Sequence, residues 1–155
     1  MHQVWQAEPA EWQVYREVRL TSLADEPAAF GSTLDEELQL SAQDWRNRLT
    51  NAAVFLGKRN GEVAGTATGL PTAEDQAEMV GVWVCPAARG TGLAAELIQA
   101  VLAWGKDRNK ISVHLVEGNL AAEKLYTRLG FERTGHRIRL PRDPSIIEIQ
   151  LVRTA

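Results

Sequence analysis

The stretch that most restricts the fold of this chain is "AEMVGVWVCPAARGTGLAAELIQAVLAWGKDR", residues 77–108. Its first eight residues are apolar and β-compatible. Its last sixteen repeat Leu93, Leu97, Val101 and Ile98, Leu102 at four-residue steps, the spacing of an amphipathic helix. Between them lie Pro86, Arg89, Gly90 and Gly92. A strand that feeds a helix through a glycine turn belongs to a mixed α and β architecture. It also gathers several unpaired backbone N–H groups at the helix start, where the helix dipole favours an anion. A phosphate is the natural guest, and Arg89 is placed to add a charge-assisted contact.

Several readings of this turn compete. The bland one is a tight strand-to-helix connection that needs glycine for steric reasons alone. A Walker loop requires Lys and then Ser or Thr after its second glycine, where Leu93 and Ala94 stand, so that reading fails. The dinucleotide fingerprint G-x-G-x-x-A is satisfied by Gly90, Gly92 and Ala95, with Glu117 at the end of the next strand as the ribose acid. Against it, "CPAAR" separates strand from glycines, and a unit beginning near residue 77 leaves little chain for a doubly wound sheet.

The remaining segments supply the rest of the sheet. "HQVWQ" is β-compatible, and "AEWQVYREVRLTSL" is a helix pattern interrupted by "ADEP". Two short helices follow, "STLDEELQL" and "SAQDWRNRL", the second opened by Ser41 and Asp44 as a capping box. "AAVFLGK" and "EVAGTATGL" flank Asn60-Gly61, a hairpin signal, and "PTAEDQ" reads as a polar loop. "ISVHLV" is a strand, "NLAAEKLYTRLGF" a helix capped by Asn119 and stopped at Gly130, and "ERTGHRIRL" and "SIIEIQLV" are strands around "PRDP". The expectation is one α/β (α+β) domain over residues 1–155, a mixed, mostly antiparallel sheet of about seven strands with about four helices.

Composition narrows the function classes. A net charge of -3 argues against a nucleic-acid partner, which calls for clustered basic residues. One cysteine and three scattered histidines offer no metal-ligand spacing, so no metal is expected. No apolar run approaches the length of a membrane span and the N-terminus has no leader pattern, so no membrane partner and a cytoplasmic location are expected.

From "VWVCPAARGTGLAAEL" through "NLAAEKLYTRLGF" the sequence resembles the GNAT N-acetyltransferase superfamily, whose signature is R/Q-x-x-G-x-G/A after a strand and a proline, then an Asn and a Tyr on a later helix. Arg89, Gly90, Thr91, Gly92, Leu93 and Ala94 match its common R-G-x-G-x-A form, with Arg89 displaced from the wider consensus spacing. "REVRLTSLADEPAAFGST" looks like the N-terminal helices of many bacterial members. The resemblance implies an acyl-coenzyme A N-acyltransferase fold, acetyl-CoA as cosubstrate and a primary amine as acceptor; because Cys85 does not read as a nucleophile, direct attack in a ternary complex is expected. It further implies that amides of residues 89–94 hold the pyrophosphate, that the backbone of Val82, Trp83 and Val84 pairs with the pantetheine arm as β-augmentation does, and that Asn119 contacts the same arm. Asn119 as a simple helix cap explains that residue equally well.

The chemistry needs an acid for the departing thiolate and a base for an amine that arrives protonated at neutral pH. By the resemblance Tyr126 is the acid, its other reading being a core tyrosine beside Leu125. By the same resemblance Glu78, near the start of the strand entering the turn, is the candidate base, at a position from which some relatives use a glutamate, often through water; strand alternation places it on one face with Val80, Val82 and Val84, and a solvated strand-end acid is the alternative. Cys85 has no cationic neighbour in sequence and reads as a structural thiol. Arg137, Arg139 and Arg142 form a basic cluster, either a solvated face or a contact for the 3′-phosphate. "PAAFGSTLDEE" and "RLPRDPS" are expected to shape the acceptor site, and Asp35, Glu36 and Glu37 hint at a cationic acceptor. Family likeness admits a homodimer, for which no residue here argues. A non-catalytic acyl-CoA sensor and a dinucleotide-binding oxidoreductase remain the other readings.

Overall fold

The computed structural model describes residues 1–27 and 32–154. Strand β1 (His2–Gln6) is followed by helices α1 (Trp12–Asp25), α2 (Leu34–Leu38) and α3 (Ala42–Asn51). Strands β2 (Ala53–Arg59), β3 (Glu62–Ala73) and β4 (Gln76–Val84) then meander antiparallel, and α4 (Leu93–Trp104), β5 (Lys110–Val116), α5 (Leu120–Arg128), β6 (Glu132–Leu140) and β7 (Asp143–Thr154) complete the chain. The strands form one seven-stranded sheet in the order β1-β2-β3-β4-β5-β7-β6, in which only β4 and β5 pair in parallel. That topology excludes the doubly wound parallel sheet of a dinucleotide-binding domain. No described helix is long and apolar enough to cross a membrane.

Local chemistry explains most boundaries. Asn60 and Gly61 both take positive φ, +53° and +84°, as a type I′ hairpin turn demands. Ser41 accepts from the Asp44 amide while the Asp44 carboxylate accepts from the Ser41 amide, the reciprocal cap expected of that pair. Gly130, at φ +97°, follows the end of α5. Three boundaries differ from the sequence reading. β3 extends through Pro71 to Ala73, so the polar "PTAEDQ" is mostly strand and turns only at residues 74 and 75. α4 stops at Trp104 because Gly105 follows and the polar residues after it gain nothing by staying on the helix. β7 begins at Asp143, inside "PRDP", where the pairing with Leu140 closes the hairpin.

The sheet is covered on both faces, and β2 displays the division residue by residue. Ala53 and Phe55 join Leu93, Leu97, Ile98 and Val101 of α4, while Val54 and Leu56 join Tyr15 and Trp45 of α1 and α3. Helix α4 lies close on β3: a Cβ added at Gly69 would stand 2.4 Å from the Trp104 ring.

β4 breaks this alternation. Thr68 pairs with Val80 but Thr66 pairs with Trp83, so three steps on β4 oppose two on β3, a β-bulge at Gly81, whose φ is +62°. Before the bulge Met79 faces α4; beyond it Val82 and Val84 do, and Trp83 turns to Val18 and Leu23 of α1. Glu78 and Val80 therefore do not share a face with Val82 and Val84, which corrects the alternation expected for this strand. β4 also parts from β5: their pairing ends at Met79 and Val113, although β4 runs on to Val84 and β5 to Val116. The two strands open as a wedge toward the glycine turn.

Candidate active site

A cleft of about 400 Å³ occupies the wedge, lined among others by Glu78, Val80, Gly81 and Val82 of β4, His114 of β5, and Asn119 and Tyr126 of α5 and its cap. Beyond Met79 the β5-facing side of β4 has no strand partner, which leaves its backbone donors and acceptors for whatever fills the wedge. Val82 thus lines the cleft; Val84 is buried against α4 and Trp83 against α1.

The turn after β4 is a short 3₁₀ segment, Pro86–Ala88, followed by Arg89, Gly90, Thr91 and Gly92. The Arg89 and Thr91 amides donate inward, to the carbonyls of Pro86 and Ala88, each at 3.3 Å. Among the described residues the amides of Gly90, Gly92, Leu93 and Ala94 have no such partner. Gly90 (φ +78°) and Gly92 (φ +90°) hold left-handed angles, and a Cβ on either would meet nothing within 4 Å. Crowding is therefore not why glycine stands there; backbone conformation is, and it sets the exposed Gly90 and Gly92 at the start of α4, just ahead of the buried Leu93.

The Arg89 side chain does not point into this nest. Its Nη2 donates to Asp25 at 2.6 Å and Glu26 at 3.0 Å, and its Nε to the Val84 carbonyl at 3.2 Å. The Trp83 indole N–H also donates to Asp25, at 2.9 Å. That bond, with Arg89, holds the Asp25 carboxyl below the usual range against the opposing effect of burial. Arg89 and Trp83 thus tie the turn to the end of α1, a structural role that the sequence could not assign because the partners lie some sixty residues away.

Tyr126 is 6% exposed, stacks edge-on to Phe131, and has no hydrogen-bond partner for its hydroxyl among the described residues. Burial pushes its hydroxyl well above the ordinary tyrosine value. Asn119 caps α5, its Oδ1 accepting from the Ala122 amide at 3.2 Å, and lines the cleft as well. Glu78 lies 2.7 Å from Nδ1 of His114, each about a quarter exposed. Glu148 of β7 completes this wall; burial raises its pKa, the charge of Glu78 adds to the rise, and His114 and Arg142 oppose it. His114 and Glu148 were not singled out from the sequence. Nothing local marks them, since register alone sets them opposite β4.

A larger cavity of about 530 Å³ lies on the α1–α3 side and shares Arg19, Val80 and Gly81 with the cleft. On its wall Glu37, 2% exposed, accepts from Arg19 Nε (3.0 Å) and Nη2 (2.9 Å) and from Arg48 Nη1 (2.8 Å). Glu37 is therefore neutralised, and the exposed Asp35 and Glu36 line neither space, so these acids do not support a cationic acceptor. Residues 28–31 of the expected "PAAFGSTLDEE" acceptor segment lie outside the described residues. The basic cluster also disperses: Arg137 pairs bidentately with Glu117, and Arg139 and Arg142 donate to the carbonyls of Pro144 and Pro27. Glu117, the ribose acid of the dinucleotide reading, is thereby engaged.

Comparison with known proteins agrees with this geometry. The model of the "Acetyltransferase (GNAT) family" matches residues 12–131. Mycothiol acetyltransferase of Parafrankia sp. (strain EAN1pec) is 34% identical over 136 residues, 75% of this chain and 41% of that protein. N-acetyltransferase family 8 member 2 of Rattus norvegicus is 32% identical over 108 residues, 64% of this chain and 48% of that protein. The chain spans less than half the length of these relatives. Among solved structures, an acetyltransferase of Salmonella typhimurium determined with its cofactor acetyl-CoA superposes at TM-score 0.76 with 18% identity, covering 99% of this chain and 94% of that one. The ribosomal-protein-alanine N-acetyltransferase of Brucella melitensis gives 0.76 and 19%, covering 99% of both. Strand wedge, glycine turn and family match converge, and the chain belongs to the GNAT acetyltransferase family.

Proposed function

We propose that the protein transfers the acetyl group of acetyl-CoA to a primary amine, by direct attack within a ternary complex. The observation that carries this reading is the β4–β5 wedge, lined by Tyr126, beyond which β4 runs on into a glycine turn where, among the described residues, the amides of Gly90, Gly92, Leu93 and Ala94 have no backbone partner. The amides of Gly90, Gly92, Leu93 and Ala94 take the diphosphate, aided by the dipole of α4. The pantetheine arm then lies along the free edge of β4 near Val82, Trp83 and Val84, beside Asn119, and an N–H of this strand polarises the thioester carbonyl.

Tyr126 protonates the departing thiolate. Burial makes it a weaker acid, but the same desolvation makes the thiolate beside it a stronger base, so the transfer stays close to balanced. On the acceptor side the Glu78–His114 pair is the sink for the amine proton, with Glu78 the acid nominated from the sequence. The body of the acceptor occupies the larger cavity, reaching the wedge past Val80 and Gly81.

A screen of diverse primary amines for acetyl-CoA-dependent thiol release tests the reading, alongside thermal shift with acetyl-CoA and with a nicotinamide dinucleotide. Stabilisation by acetyl-CoA and turnover of at least one amine are expected. Tight acetyl-CoA binding with no turnover across the panel would favour a sensor, and stabilisation by the dinucleotide alone would refute the family chemistry.

A further inference from the structure

We propose that His114 is the catalytic group that takes the proton from the acceptor amine, at its Nε2 atom, and that Glu78 is a positioning residue which holds the imidazole by Nδ1. This deepens the acetyl-transfer reading and rests on it. The carboxylate of Glu78 stands 2.7 Å from Nδ1. An ionised carboxylate can only accept, so the bond requires the proton on Nδ1 and leaves the Nε2 lone pair open. Nε2 has no protein partner among the described residues, and His114 lines the same cleft as Tyr126.

Position and chemistry both favour the imidazole over the carboxylate. β4 and β5 are paired in register where Glu78 sits opposite Ser112, and His114 stands two residues further along β5, where that pairing has just ended at Met79 and Val113 and the wedge begins. An imidazole exchanges protons near neutral pH, whereas an ordinary carboxylate is a much weaker base toward an ammonium. The charges facing His114 come from several elements: Glu78 on β4, Glu148 on β7, and Arg142, which acts on Glu148. The His136 ring on β6 stands edge-on at 6.3 Å, and Tyr126 lines the same cleft.

The protons balance. The ammonium gives one proton to Nε2, forming the free amine and an imidazolium whose Nδ1–H stays on Glu78. After attack and collapse, the thiolate takes the Tyr126 proton, the new amide nitrogen returns one to Tyr126, and the imidazolium releases its extra proton to water.

Two measurements decide the matter, with acetyl-CoA thermal shift as a control common to all variants. In the wild type, long-range proton–nitrogen NMR of the histidine rings at neutral pH is expected to show His114 as the Nδ1–H tautomer, and Glu78→Gln is expected to disturb it. With n-butylamine as acceptor at saturating acetyl-CoA, His114→Gln is expected to lower turnover about 100-fold or more and to remove the acidic limb of the pH–rate profile. Glu78→Gln is expected to lower turnover less and to keep that limb. An Nε2–H tautomer in the wild type, or an acidic limb that survives in His114→Gln and vanishes in Glu78→Gln, overturns the assignment. If no variant and not even the wild type is stabilised by acetyl-CoA, the acetyl-transfer reading itself fails, while the tautomer still reports on the pair.

Discussion

At the scale of single residues, the site depends on polar groups that the protein leaves without internal partners. The Tyr126 hydroxyl is one such case: it has no hydrogen-bond partner among the described residues, and Tyr126 lines the cleft, so the hydroxyl contributes little to the packed interior. Tyr126→Phe is therefore expected to leave folding stability unchanged or slightly raised in urea titration and to keep acetyl-CoA affinity within about twofold. Turnover should fall by roughly 100-fold or more. Gly92 carries the complementary burden. With φ at +90° and open space around its missing Cβ, Gly92→Ala meets no clash but strains the backbone by about 1–2 kcal/mol. Loss of the angle turns the α4 amides, so acetyl-CoA affinity measured by calorimetry is expected to drop more than turnover at saturation.

At the scale of elements, the bulge in β4 is the device that makes a site out of a sheet. One extra residue between Val80 and Trp83 exchanges the faces of the strand, sending Glu78 to the wall with His114 while Val82 and Val84 pack toward α4. A glycine holds φ +62° there at little cost, and the nearest atom to an added Cβ is Nη1 of Arg19 at 3.3 Å, on a side chain that Glu37 holds through two hydrogen bonds. Gly81→Ala is thus expected to cost about 1–2 kcal/mol through the backbone, with a small displacement of Arg19 added to it, read as a lower urea midpoint with an unchanged slope. Turnover should fall with it, since the strand edge on which the thioester would lie moves. The loop at the end of β4 is likewise held as an element: Arg89 and Trp83 fasten it to Asp25 at the end of α1, so the glycine turn and α1 are mechanically joined.

At the scale of the whole molecule, Glu37 links α1, α2 and α3 through Arg19 and Arg48. Burial pushes its carboxyl up, but the two guanidinium partners outweigh burial and leave it below the ordinary glutamate value. A carboxyl depressed in the folded state adds stability that is present above the unfolded value and lost as pH falls through the folded one. Thermal melts are therefore expected to decline below about pH 4.5, and Glu37→Gln should flatten that part of the decline while costing about 3–5 kcal/mol at neutral pH, because two arginines are left facing each other. The hairpin at Asn60-Gly61, the Ser41 and Asn119 caps, the helix after Gly92 and the strand entering it were all legible in the chain, since each is decided by neighbours a few residues apart. The glycine turn was legible as a spaced pattern for the same reason, whereas Tyr126 was nominated by family resemblance, its local sequence fitting a core tyrosine equally well. The pairing of Glu78 with His114, the capture of Arg89 by Asp25 and Glu26, and the neutralisation of Glu37 join residues far apart in sequence. A single bulge reverses every side chain beyond it, so which groups share the cleft was decided only when the strands took their register.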